Sequence, residues 1–407
     1  MDGKLQKNEL AGTVTFTPPL YMQRYQFIKQ LVSRYKPKKV ADLGCADCRL
    51  LWMLKFCKCI EVLVGLDICE DVMKEKMHTL SPLPGDYLQP SERPLTVILH
   101  QGSVAHKDPC MLGFDMITCI ELIEHLEAKE LEKFPEVVFG FMSPAVVIIS
   151  TPNAEFNPLL PAVTLFRHPD HKFEWNRAQF QNWAQDAAAH YDYTVEFTGL
   201  GAAPPGKDVG FCTQIGVFVR NYARNGEPDR LEKYQEHVYK TRGAKRLKMN
   251  HHLKIILTFH LGSLKCCPRA VYPSLKDEKY LQNAVINEVS RTAQIIARRL
   301  LDHRKPVYKK HCDDPVETEP RSQPSCCFVR YVENPSFAEA SHESMQSFIC
   351  GNTVCVPLAK LLSFPKVKQL CGTLEVLSKL ITGKIALSSD GSAVLIDAEY
   401  ENEEQEH

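Results

Sequence analysis

The chain has 407 residues, of which 44% are hydrophobic and 24% are charged, and its formal net charge at pH 7 is +0. This composition supports a buried core, and the balanced charge gives no whole-chain signature of a nucleic-acid binder. The 16 cysteines lack the paired spacing of zinc ligands, the polar N-terminus lacks a signal-peptide core, and no uncharged apolar run approaches the ~18 residues of a membrane span. We therefore expect a cytoplasmic protein with free thiols and no membrane association.

Short apolar runs alternate with helical patterns between residues 16 and 225. Such runs, with helices between them, are typical of a parallel sheet covered on both faces, so we predict an α/β domain over residues 16–225 after a flexible arm at 1–15. The predicted strands are residues 38–43, 61–67, 95–101, 114–120 and 145–150, with two closing strands at 193–197 and 211–219. The first predicted helix begins after Pro19 and ends near residue 35. The other predicted helices are residues 50–56, 70–78, 126–141 (with a break at Pro135) and 179–190.

The chain is less regular beyond residue 225. The predicted parts are a basic and helical extension at 226–302, a disordered linker at 303–342, a small folded unit at 343–396 and an acidic tail at 397–407. Within them, residues 240–254 are strongly basic, residues 280–301 have the spacing of an amphipathic helix, and residues 388–392 suggest a hairpin turn. The polar, proline-bearing linker has too few apolar residues to fold alone.

A strand, a turn at Gly44 and a helix follow one another, which is the arrangement of a nucleotide-binding turn. Ala46 and Cys48 stand where further glycines are expected, so the turn leaves less room for a pyrophosphate and favours S-adenosylmethionine over NAD. Asp67 closes the second strand, where a carboxylate can bind both hydroxyls of a cofactor ribose; the alternative is a helix cap. The residues predicted to contact the cofactor are Asp42, Gly44, Asp67 and Ser103.

Two carboxylates and an imidazole follow the fourth strand in the sequence Glu121-Leu-Ile-Glu-His125. Positions i, i+3 and i+4 share one face of a helix, so we predict that these side chains form half of a metal site. His168 and His171 follow the fifth strand at the neighbouring edge of the sheet and can complete it, with His171 preferred. Such a set of N and O ligands suits Mn²⁺, Co²⁺ or Fe²⁺, although cellular availability can favour Mg²⁺. The alternative is an exposed helix with a common pair of glutamates.

The chain resembles the small-RNA 3′-terminal 2′-O-methyltransferases of the Hua-enhancer type, and most of all the animal members that act on piRNAs. The matching stretches lie at residues 16–21, 42–47, 121–125, 150–157 and 170–175. The resemblance implies a Rossmann-like class I methyltransferase domain that uses S-adenosylmethionine, with cofactor contacts at Asp67 and Ser103. It implies that the catalytic metal is held by Glu121, Glu124, His125 and His171. The turn Gly44-Cys-Ala-Asp-Cys48 departs from the family pattern, which often has a second glycine.

This resemblance agrees with the chemistry of the predicted site. A ribose hydroxyl is a weak acid, and a divalent cation lowers the pKa of an oxygen that it binds. A metal with two open positions can chelate a vicinal diol, which only the 3′-terminal nucleotide of an RNA has free. We therefore expect methylation of the 2′-hydroxyl at the 3′ end of small single-stranded RNAs, with no double-stranded-RNA-binding part in this chain. The aromatic candidates for base stacking are Tyr21, Phe173 and Trp175, and the arginine candidates for phosphate contacts are Arg24, Arg167 and Arg177.

Three alternatives stay open at this point. One is a methyltransferase of small molecules or proteins, which chelators would not inhibit. Another is a metal-dependent hydrolase, although the His-Glu-x-x-His order of zincins is absent and Gly44 and Asp67 would be unexplained. The third is a non-catalytic RNA-binding scaffold. By resemblance, we expect an Argonaute or PIWI-type protein that presents the RNA, a monomeric enzyme, and a location in the cytoplasm or in germ-line RNA granules.

Overall fold

The structure is a computed structural model that describes residues 14–161, 166–221, 264–302 and 346–397. The chain divides into two compact units. The first contains Met1–Tyr87 and Ser91–Ser274, and the second contains Leu88–Pro90 and Leu275–His407. In the described parts of the chain, none of the helices has the length and hydrophobicity needed to cross a membrane.

An eight-stranded sheet forms the centre of the first unit. Its strands are β1 (Lys39–Leu43), β2 (Val62–Asp67), β3 (Thr96–Gln101), β4 (Met116–Ile120), β5 (Val146–Pro152), β6 (Tyr193–Ala202), β7 (Phe211–Arg220) and β8 (Lys265–Val271). The order across the sheet is β6-β7-β5-β4-β1-β2-β3-β8. Strands β1 to β5 pair in parallel, β7 is antiparallel to β5 and β6, and β8 is antiparallel to β3. The predicted Rossmann-like α/β fold is confirmed, and its strand order reverses between β1 and β4.

Helices cover both faces of this sheet because each central strand is apolar on both sides. They are α1 (Leu20–Tyr35), α2 (Arg49–Leu54), α3 (Glu70–Leu80), α5 (Ala128–Pro135) and α6 (Arg177–Tyr191), while the short helix α4 (Pro84–Leu88) buries no residue. Neighbouring residues of β1 show the alternation: Val40 packs in the cluster that contains Ile28 and Leu51, whereas Ala41 packs in the cluster that contains Phe134. The predicted helices and the five predicted parallel strands are therefore confirmed within a few residues.

The stretch after β4 differs from its prediction. Only a single 3₁₀ turn, Ile123–His125, follows the strand, and Glu121 has a left-handed backbone with a φ of 52°. The Glu121 amide donates to the Ser150 carbonyl at 3.1 Å, which continues the pairing of β4 with β5 by one residue. The prediction that Glu121, Glu124 and His125 share one face of a helix is therefore wrong. The predicted break at Pro135 is confirmed, because α5 ends there and Glu136–Met142 continues as a π-helix.

Strand β8 lies outside the predicted methyltransferase domain of residues 16–225, yet it pairs with β3 along the edge of the same sheet. The first unit therefore extends to Ser274, and the predicted boundary at residue 225 is too early. The basic run at residues 240–254 and the arm at residues 1–13 lie outside the described residues.

The second unit is built on one helix and a small sheet. Its elements are α7 (Glu278–Asp302), β9 (Phe348–Cys350), β10 (Thr353–Pro357), α8 (Leu358–Leu362), α9 (Pro365–Cys371), α10 (Leu374–Ile381) and β11 (Ala393–Asp397). Strand β10 pairs antiparallel with β9 and β11. Val289 of α7 and Leu377 of α10 belong to one buried cluster, so the helix predicted at 280–301 joins the predicted 343–396 unit rather than an extension. The predicted turn at 388–392 is confirmed by the antiparallel bridge between Leu387 and Val394. The predicted linker at 303–342 and the tail from residue 398 lie outside the described residues.

Candidate active site

The carboxyl ends of four parallel strands bring the predicted site residues to one edge of the sheet. Asp42 lies in β1, Asp67 ends β2, and Glu121 follows β4. Thr151 lies near the end of β5. Because the strand order reverses between β1 and β4, a crevice is expected there, and this is where ligands bind in open α/β sheets.

The turn after β1 is held in an unusual backbone conformation. Gly44, Ala46 and Cys48 all have positive φ angles, of 73°, 41° and 60°. A Cβ atom on Gly44 would lie 2.7 Å from a side-chain carbon of Leu122, so glycine is required there by both conformation and space. Ala46 and Cys48 adopt the left-handed conformation that the expected glycines would favour, at a cost of about 1 kcal/mol each.

Asp67 fastens this turn to β2. Its carboxylate accepts hydrogen bonds from the amides of Ala46 at 2.8 Å and Cys69 at 2.9 Å. Asp67 is not the cap of α3, because that position is occupied by Cys69. A carboxylate offers about four lone-pair sites, so these two bonds leave room for contacts to ribose hydroxyls.

Ser103 follows β3 at the same edge and is engaged within the protein. Its hydroxyl donates to Glu130 Oε1 of α5 at 3.0 Å and accepts from the Ala105 amide at 3.2 Å. These bonds fix the loop after β3 against α5. The structure therefore places Ser103 where it was predicted, with its hydroxyl already paired.

Asp42 is a buried acid in the floor of the crevice. Its Oδ1 accepts a hydrogen bond from the Thr118 hydroxyl at 2.7 Å. Burial raises the pKa of Asp42 to about 7, and the nearby charge of Asp67 acts in the same direction. The pKa of Tyr25 is likewise raised to about 12, first by burial and then by Asp42 and Asp47. Acids crowded in this way favour a positively charged ligand.

Glu124 is the most deeply buried acid of the site, with no exposed surface. Its Oε2 accepts a hydrogen bond from the Thr151 hydroxyl at 3.0 Å, whereas its Oε1 has no hydrogen-bond partner among the described residues. Burial raises the pKa of Glu124 well above its usual range, and the charge of Glu121 raises it further. Glu121 in turn accepts from the Ser150 hydroxyl at 2.9 Å and lies 3.4 Å from the Arg24 guanidinium.

Three histidines lie together beside these acids. One candidate ligand atom from each of His125, His168 and His171 lies within 4.8 Å of the others, while the carboxylates of Glu121 and Glu124 do not belong to this group. Burial lowers the pKa of His125, and the neighbouring His171 and His168 lower it further. His125 is therefore kept neutral, which is the form that binds metals. The structure brings the predicted His125 and His171 together and adds the more exposed His168 to them.

Glu174 is a site residue that the sequence prediction missed. Its Oε1 accepts from His171 Nδ1 and from the Arg167 amide, both at 2.6 Å, and its Oε2 accepts from the Asn157 amide group at 2.6 Å. Burial acts to raise the pKa of Glu174, but these hydrogen bonds lower it overall. An ionised Glu174 holds the proton of His171 on Nδ1 and leaves Nε2 as the ligand atom. The sequence signal that could have identified Glu174 is its position, three residues after the candidate ligand His171.

Comparison with known proteins decides the family. The small RNA 2′-O-methyltransferase of Gallus gallus is 60% identical to this chain, over 98% of this chain and 100% of that protein. The protein of the same name from Xenopus tropicalis is 49% identical, over 95% of this chain and 98% of that protein. The chain belongs to the small RNA 2′-O-methyltransferase family.

Two further similarities cover parts of this methyltransferase. A family described as the HENMT1 C-terminal domain matches residues 279–398, which lie within the second unit. The crystal structure of the small RNA methyltransferase HEN1 has 30% sequence identity and a TM-score of 0.45, over 52% of this chain and 26% of that one. The first unit carries the crevice, and the second unit matches the C-terminal family model.

Several side chains that were predicted to contact RNA instead contact other residues of the methyltransferase. The Arg167 guanidinium donates to Asn157 Oδ1 at 2.6 Å and to the Cys212 carbonyl at 2.8 Å, and Arg177 pairs with Glu155. Phe173 and Trp175 pack against each other with ring centroids 4.5 Å apart, beside the core. Arg167, Phe173 and Trp175 therefore hold in place the loop that carries His168 and His171, whereas Tyr21 keeps an exposed ring.

Proposed function

We propose that this chain transfers the methyl group of S-adenosylmethionine to the 2′-hydroxyl of the 3′-terminal nucleotide of small single-stranded RNAs, including piRNAs, with the help of a divalent cation. The observation that carries the proposal is a single crevice whose two sides suit different ligands. The strained turn and the acids Asp42 and Asp67 lie on one side, and the buried Glu124 lies with the histidine cluster on the other. Family membership supplies the reaction class.

The acidic half suits S-adenosylmethionine. The cofactor carries a sulfonium and an ammonium group, and Asp42 and Asp67 lie at the carboxyl ends of the adjacent strands β1 and β2. A cation beside Asp42 would offset the unfavourable burial of this carboxylate. The amide of Ala46 is already tied to Asp67, so the turn is preorganised before the cofactor binds.

The other half fits a divalent cation. Glu124 has an oxygen without a hydrogen-bond partner among the described residues, and a buried carboxylate in that state is stabilised by a nearby cation. We propose that Glu121, Glu124, His125 and His171 hold the ion, with Mg²⁺ as the first candidate and Mn²⁺ or Co²⁺ as alternatives. A bound cation of this kind would supply Lewis acidity to a ribose hydroxyl that is otherwise too weak an acid.

The protein's own side chains position the reacting groups. Ser150 and Thr151 hold the carboxylates of Glu121 and Glu124, and Glu174 orients the ring of His171. Methyl transfer breaks the sulfur–carbon bond, whose electron pair stays on the sulfur as a thioether, and forms an oxygen–carbon bond while the 2′-hydroxyl loses its proton to a nearby carboxylate or to water. Holding the oxygen in line with the methyl group accounts for much of the acceleration of such reactions.

The requirement for a free 2′,3′-diol would direct the enzyme to the 3′ end of an RNA. We further propose that an Argonaute or PIWI-type protein presents this end, and that the enzyme acts as a monomer in the cytoplasm. These points extend the resemblance to the animal members of the family.

The decisive experiment incubates the full chain with labelled S-adenosylmethionine, MgCl₂ and a short single-stranded RNA, and then tests the RNA for resistance to periodate. We expect methylated, periodate-resistant RNA, no reaction on matched RNAs with a 3′-phosphate or a 3′-deoxy end, and loss of activity with EDTA. An RNA that stays sensitive to periodate would refute the proposal. Calorimetry with S-adenosylmethionine separates the alternatives, because a non-catalytic scaffold would not bind the cofactor, whereas a methyltransferase of another substrate would.

A further inference from the structure

Helix α1, helix α2 and the turn after α2 expose large aromatic side chains next to the crevice. Tyr21, Trp52 and Phe56 are 39%, 48% and 60% exposed. The opposite face of α2 is buried in the core, so these rings are not needed to anchor the helix. Aromatic rings of this size usually bury most of their surface, so three exposed rings in one region indicate a binding surface.

Two contacts join these rings and a nearby arginine in pairs. The Arg49 guanidinium lies over the Tyr21 ring, 5.6 Å from its centroid, and its Nε pairs with Asp47 at 2.7 Å, which leaves its other N–H groups for a phosphate. The rings of Trp52 and Phe56 meet edge to face with centroids 5.4 Å apart. Arg49 and Trp52 are three residues apart in α2 and therefore share a face. We call Tyr21, Arg49, Trp52 and Phe56 the α1–α2 strip.

The strip begins beside the candidate metal site. Tyr21 and Arg24 are three residues apart on α1, and the Arg24 guanidinium lies 3.4 Å from Glu121 Oε2. The Tyr21 ring also contacts the Tyr25 ring, with centroids 5.9 Å apart. A polymer whose end is bound at Glu121 can therefore leave the crevice along the strip.

We propose that the α1–α2 strip binds the nucleotides that precede the 3′-terminal nucleotide of a single-stranded RNA, with bases stacked on Tyr21, Trp52 and Phe56 and a phosphate beside Arg49. This inference rests on the proposed function. Exposed aromatic rings interleaved with cations are the combination that binds single-stranded nucleic acid without reading its sequence. The far end of the strip lies beside a further positive charge, because Lys55 Nζ is 5.2 Å from the centroid of the Phe56 ring.

The length of the strip predicts how many nucleotides it holds. Phe56 is seven positions after Arg49 and two positions beyond the end of α2, so the helical rise of ~1.5 Å per residue gives the strip a length of about 10 Å. Nucleotides stacked roughly 3.4 Å apart would place about three of them on this length. The Michaelis constant should therefore fall as the RNA grows from a dinucleotide to about a tetranucleotide and change little beyond that.

The test compares a dinucleotide and a dodecamer that share the same 3′-terminal sequence, as substrates of the full chain with S-adenosylmethionine and MgCl₂. Trp52→Ala should raise the Michaelis constant for the dodecamer by at least about fivefold more than for the dinucleotide, because stacking on an aromatic ring is lost. Trp52→Phe keeps an aromatic ring, so its Michaelis constant for the dodecamer should return most of the way to that of the unmodified chain. Tyr87→Ala removes an exposed aromatic ring of α4, outside the strip, and serves as the matched control that should change neither substrate.

Three outcomes would overturn the inference, and each is distinct from failure of the proposed function. If Trp52→Ala raised the Michaelis constant equally for both RNAs, Trp52 would support the cofactor turn rather than bind the RNA. If Trp52→Ala raised the Michaelis constant for neither RNA, the strip would not bind the RNA, and a protein partner would be the remaining occupant. A Michaelis constant that does not change with RNA length in the unmodified chain would also refute it. By contrast, an unmodified chain that methylates neither RNA would refute the proposed function itself.

Discussion

Replacement of Glu174 by glutamine tests whether this buried residue positions a metal ligand. The carboxylate accepts three hydrogen bonds of 2.6 Å, from His171 Nδ1, the Arg167 amide and the Asn157 amide group. Glutamine keeps the shape and one acceptor oxygen, but its amino group would face the Asn157 amino group. Asn157 cannot flip to compensate, because its Oδ1 accepts from Arg167 Nε at 2.6 Å.

The magnitude follows from these contacts. Glu174→Gln replaces charge-assisted hydrogen bonds by neutral ones and leaves one donor without a partner, so we expect the free energy of unfolding to fall by about 1 to 3 kcal/mol. Loss of a residue that orients a metal-bound histidine typically weakens metal affinity by about 10- to 100-fold. The affinity for S-adenosylmethionine should change little, because the cofactor turn at residues 44–48 makes its contacts elsewhere.

The assay is Mn²⁺ binding followed by electron paramagnetic resonance, which needs no turnover, together with thermal unfolding in EDTA. Glu155→Gln is the matched control, since Glu155 is also an acid that pairs with an arginine, and among the described residues its carboxylate bonds to Arg177 rather than to a histidine. We expect weaker Mn²⁺ binding for Glu174→Gln alone. If both variants lose stability and neither loses affinity for Mn²⁺, Glu174 only stabilises its loop and the reasoning is refuted.

Three further predictions concern other parts of the chain. Ala46→Gly should raise the free energy of unfolding by about 0.5 to 1 kcal/mol in urea denaturation, because it relieves a left-handed alanine. Asp42→Asn should stabilise the ligand-free protein above pH 7 and make little difference near pH 4. The folded protein raises the pKa of Asp42 to about 7, so the wild type loses stability as the pH rises from about 4 to 7, by at most about 4 kcal/mol. Leu377→Ala should destabilise the second unit by about 2 to 5 kcal/mol, measured by calorimetric unfolding, and leave binding of S-adenosylmethionine to the first unit unchanged.

Local patterns were enough to predict the centre of the fold. Strands β1 to β5 could be predicted because each is a short, almost wholly apolar run with a helical pattern after it, and such runs fit a buried parallel sheet. The positions of Asp42, Asp67 and Glu121 followed, since the ends of parallel strands meet at one edge. The missing glycines were also informative, because Ala46 and Cys48 do adopt glycine-like conformations.

What could not be predicted depends on contacts between distant parts of the chain. Strand β8 pairs with β3 although more than 160 residues separate Gln101 from Lys265, and no local pattern specifies such a partner. The turn after β4 is 3₁₀ rather than helical because the Glu121 amide pairs with Ser150 on the neighbouring strand. The role of Glu174 likewise needs Arg167 and Asn157, whose hydrogen bonds exist only in the folded loop.

The two halves of the crevice share one electrostatic problem. Asp42 in β1 and Glu124 after the adjacent strand β4 are both buried, and burial raises the pKa of each. Such acids destabilise the ligand-free fold, and a cation bound near either one removes part of that cost. A positively charged cofactor on one side and a divalent cation on the other would each stabilise the fold by binding. Because Asp42 lies in β1 and Glu124 follows the neighbouring strand β4, the same buried acids that weaken the ligand-free fold would favour ligands of positive charge on both sides of the crevice.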